Sequence, residues 1–121
     1  MMKIPDGRSA TILIVEDIGW VRSSMIRSVE RCGYRAVAAV DDAEALALAE
    51  RDPPELILTE EELPTFDALM ARLREHPVLR GVPVAIINPD AEEGERYGGC
   101  LLLADYDRIS QVLNFFPGSI P

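Results

Sequence analysis

The sequence predicts an α/β fold built on a doubly wound parallel sheet of five strands. Three observations predict it. Short apolar runs alternate with amphipathic segments along the chain. Two of the runs, T-I-L-I-V (Thr11 to Val15) and L-I-L-T (residues 56–59), are apolar enough for strands buried on both faces. Both lead straight into carboxylates, Glu16 and Asp17 after the first and Glu60, Glu61 and Glu62 after the second. Parallel neighbours need crossover connections, so alternation of this kind gives a parallel sheet. In open sheets of this class, sites form just beyond the carboxyl ends of the strands. Two strand tips that carry acids therefore predict an acidic pocket at one edge.

The first strand is Thr11 to Val15. A helix over residues 19–32 follows, because Ile18, Val21, Met25 and Val29 recur at three- and four-residue spacing while Arg22, Ser23, Arg27 and Glu30 fall largely off that face. Gly33 is a natural stop. Residues 35–40 form the second strand. Asp41 or Asp42 can cap a helix over 43–51, which Pro53 and Pro54 end. The third strand is 56–59. A helix over 67–75 puts Leu69 and Leu73 on one face and closes at Pro77. Residues 82–87 form the fourth strand. Pro89, Gly94, Gly98 and Gly99 leave room for at most a turn or two of helix over 88–99. Cys100 to Leu103 form the fifth strand. Asp107 then caps a helix carrying Ile109, Val112, Leu113 and Phe116 at i, i+3, i+4, i+7 spacing. Five such units fit a flavodoxin-like sheet, whose strand order is 2-1-3-4-5.

At 121 residues the chain predicts one domain, residues 1–121, with its core over about 10–116. Its hydrophobic fraction of 48% sets it apart from disordered chains. A formal net charge of −9 disfavours nucleic acid and anionic membrane and suits cations and basic protein surfaces. Cys32 and Cys100 have no metal-ligand spacing and suggest no disulfide framework, which fits a reduced cytoplasmic compartment. The first nine residues lack an apolar h-region, and no apolar stretch is long enough for a bilayer. The Pro- and Gly-bearing ends read as short frayed segments or linkers.

The segments I-L-I-V-E-D, the helix ending C-G-Y, P-E-L-I-L-T-E-E-E-L-P and G-V-P-V-A-I-I, in this order, resemble the receiver domain of bacterial two-component response regulators. The resemblance runs from about residue 11 to residue 116. It implies that Glu16 and Asp17 match the pair that binds a divalent cation, that the backbone carbonyl of Glu62 matches a main-chain cation ligand, and that Glu60, four residues before Pro64, occupies the place of the phosphoryl-accepting aspartate. It further implies that Asn88 stands where a Thr or Ser follows the phosphoryl group, Ala104 where a lysine neutralises it, and Leu101 at an aromatic switch position.

On that resemblance the cation pair persists while the phosphoryl-handling positions have changed. Transfer needs a carboxylate in line with the phosphorus, and charge to neutralise the equatorial oxygens. Glu60 is one methylene longer than aspartate, and a misplacement of about 1 Å can cost on the order of 100-fold. Ala104 has neither charge nor donor. Asn88 keeps an amide donor and is the mildest change. The segments after Pro64 and after Asn88 are also short of the family pattern, which predicts a shortened fourth helix on the face the family uses for output.

The resemblance therefore implies a degenerate receiver, not phosphorylated in the ordinary way and acting as a protein-interaction module. Its partners would be signalling proteins, either a histidine kinase or a downstream effector, with a homodimer also open to it. Glu16, Asp17, Glu60 and Glu62 would bind Mg²⁺ weakly at best. Crowded carboxyls predict that one is protonated or cation-paired. Two alternatives stand beside this: a receiver that still accepts a phosphoryl group, and a small enzyme on the same fold. The enzyme is disfavoured because no Gly-rich phosphate loop follows the first strand and no nucleophile–base set is visible. His76, before Pro77, fits a helix end better than a phosphorelay. Trp20 fits partial packing against the first helix, Tyr106 a packed aromatic, and the cysteines small core residues.

Overall fold

The computed structural model describes residues 10–88, 96–97, 100–103 and 113. Strands β1 (Thr11–Val15), β2 (Arg35–Ala39), β3 (Leu56–Glu60), β4 (Val84–Ile87), β5 (Arg96–Tyr97) and β6 (Cys100–Leu103) form one sheet in the order β2-β1-β3-β4-β6-β5. Five of them are parallel, in the order the sequence predicts, with β6 as the fifth. The two-residue β5 adds an antiparallel edge beside β6.

The strands are apolar throughout because both faces are covered. Ile12 and Ile14 point to one face, where they pack with Leu56, Leu58, Ala85 and Ile87 against Val21, Met25 and Val29 of α1 (Gly19–Arg31). Leu13 and Val15 point to the other, with Ile57 and Ile86, beneath α2 (Asp42–Arg51) and α3 (Phe66–Glu75). That alternation is the period-2 pleat of a strand. Leu113 is helical and fully buried, and its carbonyl accepts a hydrogen bond from the Tyr34 hydroxyl at 2.7 Å.

Helix α1 ends as Gly33 predicts. Gly33 has φ 91°, its N–H donates to the Glu30 carbonyl at 2.9 Å, and the Tyr34 N–H reaches the Val29 carbonyl at 3.4 Å. This is the double closure of a Schellman motif, with Tyr34 and Val29 sharing one core cluster. Of the two candidate caps on α2, Asp41 serves: its Oδ1 accepts from the Glu44 N–H at 2.9 Å. Strand β3 runs one residue further than predicted, so Glu60 is its last residue. Strand β4 starts two residues late, because a 3₁₀ turn, Leu79–Gly81, precedes Pro83.

Two expectations are corrected. Ile18 does not join the buried face of α1; it is the extended N-cap residue and is 45% exposed. Trp20 is 75% exposed, without the packing expected of it. The expected fourth helix, Tyr106, Ala104 and the final helix apart from Leu113 lie outside the described residues. No described helix is long and apolar enough to cross a membrane.

Candidate functional site

Parallel pairing brings the carboxyl ends of β1 and β3 to one edge, with Val15 opposite Thr59. The first acid after β1, Glu16, is 1% exposed. Its backbone continues the sheet for one more step, the N–H donating to the Ala39 carbonyl at 3.0 Å, which fixes the side chain inward. Glu16 Oε1 accepts the Ile18 N–H at 3.1 Å, which satisfies an open donor where α1 begins. Oε2 is buried, and no N–H or hydroxyl donor reaches it.

Glu60, half-buried at the end of β3, lies with its carboxyl against that of Glu16, and the Asp17 carboxyl also approaches it. The Glu16 pKa is pushed up from 4.5 to about 8. Burial is the largest cause; the hydrogen bond and negative charge of Glu60 and contact with Asp17 add to it, and the Ile18 N–H opposes it. Burial and the neighbouring carboxyls thus favour the protonated form of Glu16 near neutral pH. The crowding visible in the sequence resolves onto the one residue that is fully buried.

The other predicted residues spread outward. Asp17 and Glu62 are exposed. Glu62 sits in the turn that closes when the Leu63 N–H donates to the Glu60 carbonyl at 3.0 Å. Asn88 follows β4 and donates through Nδ2 to Glu61 Oε2. Thr59, buried in β3, donates its hydroxyl to the Val15 carbonyl at 3.3 Å and ties the two acidic tips together. Arg22 was not singled out by periodicity, which placed it off the buried face. Its Nη1 turns back to the Glu16 and Asp17 carbonyls at 3.0 and 3.3 Å. Its position one turn into a helix that starts beside acids is the signal that could have found it.

The donor set suits a hard cation in kind: Glu16 offers a buried oxygen that no N–H or hydroxyl donor reaches, and Asp17 and Glu60 are beside it. It is not gathered into a cage. Among the described residues, no group of three or more His, Cys, Asp and Glu side chains is arranged to hold a metal ion. Away from this edge, His76 ends α3 with Nδ1 accepting the Val78 and Leu79 N–H groups, both at 3.1 Å, which is a structural capping role.

No family model matches the chain. It is 32% identical over 97 residues to the polar-differentiation response regulator DivK of Brucella anthropi, a match covering 74% of this chain and 78% of that protein. It is 32% identical over 93 residues to the response regulator PleD of Caulobacter vibrioides, covering 75% of this chain. The match spans only 20% of PleD's length. Among solved structures, the receiver domain of the sensor histidine kinase PA1611 from Pseudomonas aeruginosa PAO1 superposes with a TM-score of 0.73 at 27% identity, covering 92% of this chain and 99% of that one. That domain holds a magnesium ion in its active site cleft. A sheet with acids at two neighbouring strand tips, and relatives of this kind over most of the chain, define a two-component signalling module. The chain belongs to the response-regulator family, as a receiver domain.

Proposed function

We propose that this receiver works without ordinary phosphoryl transfer and acts as a protein-binding module in cytoplasmic signalling. The observation that carries this is the placement of Glu60. Glu60 ends β3, at the position the family resemblance gives to the acceptor, and its carboxyl lies against the buried Glu16 carboxyl, whose pKa is raised. An acceptor must instead be ionised, solvated by cation and lysine, and aligned with an incoming phosphorus. Ala104 supplies no lysine at the position the family resemblance gives to one.

Mg²⁺, if held, would rest on Glu16, Asp17 and Glu60 with waters completing its shell, and it would supply charge neutralisation at the strand tips. A cation there must displace the proton on Glu16, which keeps the affinity low near neutral pH. The partners on this reading are signalling proteins, a kinase or an effector, recognised by shape and charge.

Incubation of the chain with acetyl phosphate and Mg²⁺, followed by intact mass, tests the proposal. The expected spectrum shows unmodified protein while an ordinary receiver run in parallel gains one phosphoryl group. A phosphoryl adduct on Glu60 or a neighbouring carboxylate would overturn it and establish a phosphate-accepting receiver.

A further inference from the structure

Three of the four large apolar side chains exposed among the described residues leave the sheet at one edge: Ile18, Trp20 and Val40. Ile18 and Trp20 follow β1, and Val40 follows β2, its hydrogen-bonded neighbour. The 3.0 Å bond from the Glu16 N–H to the Ala39 carbonyl holds the two strand ends together just where these residues emerge. Trp20 stands in the first turn of α1, 75% exposed. An indole is among the side chains that contribute most when buried at a protein interface. The fourth exposed residue, Val78, precedes β4 and so lies at the opposite edge.

Carboxylates neighbour these residues: Asp17 beside Ile18, Asp41 beside Val40, and Glu44 of α2, whose Oε1 accepts the Val40 N–H at 3.2 Å. Arg22, the guanidinium nearest to it in the chain, is turned to the Glu16 and Asp17 carbonyls. An apolar centre with a charged rim is the anatomy of a binding surface. A second copy of this chain would set the same acidic rim against itself in a molecule of net charge −9, so self-association is opposed.

We propose that Ile18, Trp20 and Val40 form a docking surface for a segment of another protein that carries an apolar anchor flanked by lysines or arginines. The proposal rests on the interaction-module reading and gives that module a face and a partner chemistry. The acids around the patch steer a cationic segment and reject an acidic one, and the indole supplies the anchor's pocket wall.

The test uses the intact chain and two fluorescein-labelled helical peptides, one of leucine and lysine and one of leucine and glutamate, followed by anisotropy at near-physiological salt. The leucine–lysine peptide is expected to bind and its glutamate counterpart not. Trp20→Ser and Val40→Ser are each expected to weaken binding about tenfold, and Val78→Ser to leave it unchanged. All three side chains are exposed, so the variants keep the fold, which circular dichroism checks. Equal affinity for the parent and Trp20→Ser would overturn the proposal, because the peptide would then be held by charge alone. So would self-association in sedimentation that Trp20→Ser abolishes, which would make a second copy the occupant. Neither readout involves phosphate. A phosphoryl adduct would therefore refute the reading of this receiver as phosphorylation-independent while leaving the docking result standing, and a docking failure would leave the mass result standing.

Discussion

Ionising Glu16 places a charge where water does not reach it and where Glu60 already supplies a negative potential. Unfolded, the group titrates near 4.5; folded, it titrates near 8. Between those values the folded chain keeps a proton that the unfolded chain has released. The stabilisation is full below the unfolded value, is lost as pH climbs to the folded one, and changes no further above it. A pKa difference of one is worth about 1.4 kcal/mol, so the loss is on the order of a few kcal/mol. The urea midpoint is therefore expected to fall between about pH 5 and pH 8. Glu16→Gln, which cannot ionise, is expected to flatten that slope and to raise stability at the alkaline end. A slope of the same size in both proteins would show that another group titrates. Glu16→Gln also keeps the hydrogen-bond capacity toward Ile18, so it separates charge from packing.

At the start of α2, the polar residues cap across elements as well as within one. Asp41 caps its own helix through the Glu44 N–H, and Glu44 Oε1 returns to the Val40 N–H at 3.2 Å. Thr65, at the start of α3, spends its hydroxyl on α2 instead, accepting the Asp42 N–H at 3.2 Å. Asp42 Oδ2 then meets Arg72 Nε of α3 at 3.4 Å. Asp41→Ala removes the cap and is expected to cost about 1 kcal/mol, read as a lower urea midpoint with an unchanged slope; a midpoint within error of the parent would mean that Glu44 alone holds the helix start. The cap on α2, the stop at Gly33 and the five parallel strands were legible in the sequence, because each rests on local chemistry or on a period that burial imposes. Strand β5 was not legible. Two residues carry no period, and Arg96 and Tyr97 are strand only through pairing with Leu101 and Cys100. Ile18 misled the helical count for a related reason: at φ −86° and ψ 118° its backbone is extended, so its side chain leaves the helix stripe. The acidic strand tips were legible as residues. Which carboxyl is buried, and which one meets it, depends on register between β1 and β3, and no spacing along the chain encodes that.

Across the whole molecule, phosphoryl transfer in a receiver needs three separated parts of the chain to converge on one edge of the sheet. The tips of β1 and β3 supply acids here, and the segment that begins after β6 would supply the lysine. Parallel order places β1 and β3 side by side and β4 and β6 beyond them, so the fold brings the tips to a common edge whatever residues occupy them. That separates fold from chemistry: the sheet tolerates Glu60 because it does not carry the core, which among the described residues is built from Ile12, Ile14, Leu58 and Ile87 on one face and Leu13, Ile57 and Ile86 on the other. On the proposal that Glu60 and Ala104 keep this receiver from ordinary phosphorylation, changing both to the family's residues should permit it. Glu60→Asp shortens the acceptor by one methylene and draws it back from Glu16, which lets Glu16 ionise beside Mg²⁺. Ala104→Lys returns a charge for the phosphoryl oxygens. With acetyl phosphate and Mg²⁺, Glu60→Asp alone is expected to gain a trace of phosphoryl adduct by intact mass. The Glu60→Asp, Ala104→Lys double variant is expected to gain roughly 100-fold more over the same time, the scale on which placement of a reacting group acts. A double variant that stays unmodified would move the cause from these side chains to the shortened segments after Pro64 and Asn88, where the loops themselves would fail to shape the site.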